Sequence, residues 1–321
     1  MSPKKNSMKI EVRRGDHLES VHWVDVAVVD SAGKMILSYG EDTKCFPRSA
    51  IKPIQALAMM EAGAHEKWSI SSQEWALACA SHHGEKFHVD IVEGWLRKLG
   101  LSSANLECGT HSPYNTKASE EILRKNGQFG AIHNNCSGKH TGFLATALAF
   151  GVPTKHYIHF SHPVQKLVTK LTAEFCGISL NEVDSAIDGC GIPTFCFSLS
   201  KMAQGFAAFS TDPRGAQILK ACLIEPVLTS GSGQFPTLVM GRLNNEIFVK
   251  IGAEGVMGAY FPKQGWGLAL KARDGAARAA EVATAQVLAD LGFLTSSDST
   301  FLSPQKTNWA GRTVSVIQAF G

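Results

Sequence analysis

The chain carries several short stretches whose side chains could do chemistry. In Arg48-Ser49-Ala50-Ile51-Lys52 a hydroxyl precedes an amine by three residues. On a helix that spacing puts both on one face, about a turn apart. A neutral lysine amine placed there can take the serine proton and activate the oxygen without histidine. Pro53 supports a helix start near residues 48–50, because proline is tolerated in the first turn, where backbone N–H groups lack partners anyway. Ser49 would then sit at the positive end of the helix dipole. The tetrapeptide alone is weak: Ser-x-x-Lys recurs at Ser2/Lys5, Ser31/Lys34, Ser198/Lys201 and Ser303/Lys306. A capping serine followed by a solvated lysine has the same pattern.

Ser81-His82-His83-Gly84-Glu85 ends an apolar helical run, with Gly84 as a C-cap. It offers a second hydroxyl and paired imidazoles, or simply a polar helix end. Asn134-Asn135-Cys136-Ser137-Gly138-Lys139-His140 fails as a phosphate loop, since the glycine spacing is wrong and His140 replaces the magnesium-holding hydroxyl. What remains is a thiol and an amine near a helix start, where Cys136 should ionise more readily. Asp188-Gly189-Cys190-Gly191 adds a second thiol beside a carboxylate. Two thiolates and an amine would suit zinc, with lysine an unusual ligand. Lys271, in Leu268-Ala269-Leu270-Lys271-Ala272, has apolar neighbours that could desolvate its amine into a usable base; an edge lysine that blunts sheet pairing fits equally well. His156, His159 and His162 span a strand-to-helix junction and should not converge on a metal.

These stretches need elements to position them. Val21–Asp30 and Lys34–Tyr39 read as a hairpin. Helical patterns follow over Ser49–Ala62, Ser72–Ser81, Lys86–Leu99, Ser119–Lys125, Lys139–Phe150, Pro163–Phe175, Phe195–Phe209 and Arg214–Cys222. Strand patterns return over Thr237–Leu243, Glu246–Ile251, Val256–Phe261 and Gly267–Ala272, then a helix over Gly275–Leu291 and a last strand over Thr313–Phe320. This predicts an α+β fold: an antiparallel sheet built from N- and C-terminal strands, with a central helical lobe set against it. We expect one catalytic domain over 1–321, its sheet lobe from about 8–48 and 236–321 and its helical lobe about 49–235, with the site in the cleft between them.

The 321 residues are 44% hydrophobic and 18% charged, which places them with globular chains and not disordered ones. The 31 Lys and Arg against 28 Asp and Glu form no basic stripe, so neither nucleic acid nor a membrane surface is an expected partner. The eight cysteines form no CxxC pair and no apolar signal core opens the chain, so reduced thiols and a cytoplasmic location are expected.

In order, Arg48-Ser49-x-x-Lys52-Pro53, Ser81–Glu85, Cys136–His140, Asp188–Gly191, Ile251-Gly252-Ala253-Glu254-Gly255 and Leu268–Gly275 resemble the asparaginase II proteins, the class 3 or rhizobial-type L-asparaginases. The resemblance runs from about Val12 to Gly321. It implies a fold similar to serine β-lactamases and glutaminases, and hydrolysis of L-asparagine to L-aspartate and ammonia through an acyl-enzyme. It implies two close Ser–Lys pairs, Ser49 with Lys52 and Ser81 with Lys271, either serine being able to serve as nucleophile. It also implies a nearby zinc ion on Cys136, Lys139 and Cys190, structural or substrate-orienting, and a homodimer. Arg48, His140, Asp188 and Glu254 supply both signs of charge for a zwitterionic amino acid. Rival readings are a thiol amidohydrolase using Cys136, a related glutaminase or β-lactamase-like hydrolase, and an amino-acid sensor that binds without turnover.

Overall fold

The structure is a computed structural model and describes residues 6–320. Its main sheet gathers strands from both ends of the chain. The N-terminal part supplies β1 (Met8–Arg14), β2 (His17–Asp30) and β3 (Met35–Tyr39). A short β4 (Lys44–Cys45) lies outside this sheet and forms a small second one with β5 (Asp184–Ile187) and β6 (Pro193–Ser198), in the order β4-β6-β5. The C-terminal part returns β7 (Phe248–Ile251), β8 (Val256–Phe261), β9 (Trp266–Ala272), β10 (Gln305–Thr307) and β11 (Thr313–Phe320). The main sheet runs β10-β11-β1-β2-β9-β8-β7, with β3 also on β2. Every pairing in it is antiparallel.

Helices fill the middle: α1 (Lys52–Glu61), α2 (Ala64–Lys67), α3 (Ser72–Ala78), α4 (Lys86–Lys98), α5 (Thr116–Arg124), α6 (Ser137–Phe150), α7 (Pro163–Cys176), α8 (Leu199–Thr211), α9 (Pro213–Ile224), α10 (Pro226–Thr229) and α11 (Phe235–Arg242). Near the end come α12 (Ala277–Asp290) and α13 (Ser299–Leu302). This is the α+β arrangement the sequence predicts, with an antiparallel sheet fed by both termini. No helix among the described residues is long and apolar enough to cross a membrane.

Helix α3 stops at Ala78 with Cys79 as its C-cap, short of the expected Ser81 and Gly84, and two further elements are of another kind than the sequence reading. Thr237–Leu243 falls in helix α11 and its end, not in a strand. Pro236 sits in the first turn, where its missing N–H costs nothing, and the residues that bury are Pro236, Val239 and Met240, at helical spacing. Phe195–Phe209 divides into β6 and α8. Ser198 caps α8 by accepting from the Lys201 N–H, and Pro193–Cys196 before it pair with β5.

Helix α8 packs on β9, β2 and β8. It comes so close that a Cβ on Gly267 would lie 2.0 Å from Ala203 O, and one on Gly258 would lie 2.5 Å from Phe206 Cε2. Lys250 pairs across from Gly258, and Gly258 from Ala269. Cross-strand partners share a face, so Lys250 projects toward the helical lobe from the last strand of the sheet.

Candidate active site

The chain enters α1 through a 3-10 turn at Arg48–Ile51, and Pro53 lies in the first turn of the helix. Arg48 has φ of 49°, the left-handed region that a residue with a Cβ rarely occupies. The turn is pinned from the sheet, since the Tyr260 hydroxyl donates to Ala50 O at 2.9 Å. Ser49 is half-buried, and among the described residues its hydroxyl makes no hydrogen bond. Lys52 is sealed from solvent and donates to Ala80 O and, at 3.0 Å, to Ser81 Oγ.

Ser81 follows the end of α3, and its backbone N–H is held by Thr229 O. Its hydroxyl meets a second amine, that of Lys250, at 2.7 Å. Lys250 also donates to Ile251 O at 2.9 Å. One oxygen therefore lies between two buried lysines. Burial first, then the neighbouring Lys52, push Lys250 well below the ordinary lysine value. Hydrogen-bonded thiols, Cys79 and Cys222, also lie near it, and burial raises the Cys222 thiol.

The expected partner of Ser81 is corrected by this geometry. Lys271 also faces the helical lobe, but from β9, two strands in from β7. Its amine bends onto Glu254 O and Ala272 O, leaving Lys250 to reach Ser81. Lys250 had the same sequence signal as Lys271, a lone lysine among Phe248, Val249 and Ile251. What distinguished the two was strand order, which neither spacing nor hydrophobicity encodes.

A second cluster adjoins the first. Cys136 precedes α6, whose start packs tightly on α3: a Cβ on Gly138 would lie 2.3 Å from Leu77 O. The Gly138-Lys139 pair thus serves close helix packing, with no phosphate loop. Lys139 donates to Cys190 Sγ at 3.0 Å, and both are buried. A hydrogen bond from Cys136, opposed by burial and aided by Lys139, lowers Cys190 to about 5. The same bond and burial raise Cys136 to about 12. These directions make Cys190 the thiol of the pair that ionises more readily, with the Lys139 amine hydrogen-bonded to it. Burial works to lower Lys139, but Cys190, Cys136 and Asp188 outweigh it and hold it above the ordinary lysine value.

The cysteine loop is fastened to the serine turn by an ion pair from Arg48 to Asp188. Burial opposes ionisation of Asp188, but Lys139 and Arg48 keep its value low. His140 is fully buried, bonded through Nδ1 to the Tyr157 hydroxyl, and burial drives it well below the usual histidine value. Glu254 is exposed, in the left-handed region at φ of 60°, on the turn from β7 to β8. His82 accepts from the Gly84 N–H through Nδ1, so its Nε2 carries the proton toward Ser137 Oγ at 2.8 Å. That orientation makes His82 a donor to Ser137 and rules it out as that serine's base.

Among the described residues no three His, Cys, Asp or Glu side chains gather to hold a metal. The donors that do converge are Cys136, Cys190 and the Lys139 amine. Two sulfurs and a nitrogen fit zinc in kind, and binding would require Cys136 and Lys139 to release protons.

The lysine-flanked hydroxyl is a buried polar cluster of the kind enzymes use. The L-asparaginase II family model matches residues 10–319, and the chain belongs to that family. None of the curated proteins matches it. Among solved structures it is similar to a β-lactamase from Mycobacterium bovis, with 15% identity, a TM-score of 0.43, and 83% of this chain and 94% of that one covered. It is also similar to a candidate β-lactamase from Bacteroides dorei, with 11% identity, a TM-score of 0.37, and 83% and 85% covered. Family membership supports amidohydrolase activity of the asparaginase type.

Proposed function

We propose that the protein hydrolyses the side-chain amide of L-asparagine to L-aspartate and ammonia by serine–lysine chemistry. The observation that carries this reading is the Ser81 hydroxyl between the amines of Lys52 and Lys250. Two ammonium groups on one buried oxygen repel each other, so the pair favours a single proton. Lys250, pushed down by burial and by Lys52, is the neutral member. Ser81 can pass its proton to Lys250 while taking one from Lys52. The positive charge then moves to Lys250 and leaves Lys52 as a neutral base.

Ser49, the half-exposed hydroxyl three residues before Lys52, attacks the amide carbon as Lys52 takes its proton. The proton returns to the departing ammonia along the same route. Water then hydrolyses the aspartyl ester. A backbone donor to the oxyanion is typically worth about 3 kcal/mol. The Arg48–Asp188 pair beside the serine turn offers both signs of charge for the zwitterionic end of the substrate. Zinc on Cys136, Lys139 and Cys190 would supply a Lewis-acid anchor for a substrate oxygen or amine. The thiol alternative is disfavoured, since Cys136 keeps its proton up to about 12.

The test is ammonia release from L-asparagine and L-glutamine by the purified protein and by Ser49→Ala and Cys136→Ala. We expect asparagine turnover that Ser49→Ala abolishes. An inert wild type, or Ser49→Ala active while Cys136→Ala is dead, would reject the reading.

A further inference from the structure

His140 and Tyr157 are both fully buried, and Tyr157 has no part in the chemistry above. The Glu107 backbone N–H donates to the Tyr157 hydroxyl at 2.8 Å. A backbone N–H can only donate, so the phenolic oxygen accepts there. Among the described residues its own proton has one hydrogen-bonded acceptor, His140 Nδ1 at 2.7 Å. Nδ1 is therefore the bare nitrogen, and the ring proton sits on Nε2. That Nε2 is buried and, among the described residues, has no hydrogen-bond partner. A buried donor left unpaired is costly, and such an orphan in a native fold calls for a partner. Lys139 and Lys52, one from each cluster, are among the groups that act electrostatically on the ring. Edge contacts with Phe143 and Tyr157 fix its plane. The Tyr157 backbone is tied in turn, because Gln165 Nε2 donates to Tyr157 O at 2.9 Å.

We infer that Tyr157 is a positioning residue: by donating to His140 Nδ1 it locks the ring in the Nε2–H tautomer, which holds that N–H as a donor for an oxygen of the bound amino acid. The inference deepens the proposed asparaginase reading and rests on it for the substrate. A fixed donor selects an acceptor oxygen and refuses the ammonium group. Two oxygens share that chemistry, the α-carboxylate and the side-chain amide carbonyl.

The experiment has two independent readouts. Nitrogen-15 NMR of the intact protein should show His140 with Nε2 protonated and Nδ1 bare, a pattern lost in Tyr157→Phe. This needs no turnover, so it separates failure of the tautomer claim from failure of the substrate reading. An Nδ1-protonated ring in the wild type would overturn the inference. In kinetics, Tyr157→Phe should raise KM for asparagine about tenfold at unchanged kcat if the oxygen is the α-carboxylate, or lower kcat about tenfold if it is the amide carbonyl. β-Alaninamide, which is asparagine without its carboxylate, distinguishes the two: the first case leaves its kinetics unchanged, the second slows it too. His140→Gln keeps a donor near Nε2 with no tautomer to lock. Adding Tyr157→Phe to His140→Gln should then have no further effect, whereas additive losses would show that Tyr157 does not act through His140. Unchanged kcat and KM in Tyr157→Phe would mean that the N–H serves the fold alone, and would overturn the inference.

Discussion

Lys250 and Lys139 are both sealed from solvent, yet they are driven in opposite directions. Burial penalises the charged form of each. Around Lys250 the next largest influence is another amine, Lys52, and the two effects add. Around Lys139 the neighbours are a thiolate, a second sulfur and a carboxylate, and they overcome burial. Burial alone does not decide whether a lysine is a base or a counter-ion; the sign of its neighbours does. One lysine is poised to accept a proton, and the other holds a charge in place.

The widest break in that comparison should come from Lys250→Met. Removing the amine that faces Ser81 should lower asparagine turnover by about 10²- to 10⁴-fold, the usual range for a general acid–base group. Circular dichroism should show the fold intact, since an apolar side chain suits a site that already disfavours charge. Lys139→Met tests the opposite case. It leaves the Cys190 thiolate buried without its cation and should cost about 3–5 kcal/mol in urea unfolding. Adding Cys190→Ala should recover part of that loss. If Lys139→Met proves neutral, the thiolate assignment is wrong.

The pH dependence sharpens the contrast. Below the ordinary value of 10.5 an unfolded Lys250 binds a proton, while the folded one does not until pH falls to its lowered value. Between the two, the unfolded state holds more protons, so this group makes stability rise with pH. Urea titrations should show wild type gaining on Lys250→Met across that window as pH increases, and a constant gap would contradict the assignment. Turnover that needs neutral Lys250 should fall as pH drops through the same lowered value. The smallest effect belongs to Lys271→Met. Its amine serves two carbonyls at the sheet end, so turnover should stay within about twofold and stability within about 0.5 kcal/mol, as for surface positions generally.

The chemistry-bearing segments were legible because each combines rare neighbours in a short span, and the terminal strands because they are short apolar runs bounded by turn residues. Val256–Phe261 and Thr313–Phe320 are strands with the boundaries the pattern predicts. The first strand, Met8–Arg14, carried too mixed a pattern to stand out, yet it lies inside the sheet between β11 and β2. Lys250 was missed for a different reason. Its segment was legible as a strand, but choosing between two buried-looking lysines requires knowing which strand lies beside Ser81. Tyr157 could not be read at all, since its role exists only through a backbone N–H 50 residues away in the chain.

The most direct test is a titration of lysine ε-carbon resonances by carbon-13 NMR, with Lys250 assigned by its loss in Lys250→Met. The account predicts that this lysine titrates far below 10.5. A Lys250 that keeps its proton up to the ordinary lysine range would contradict it.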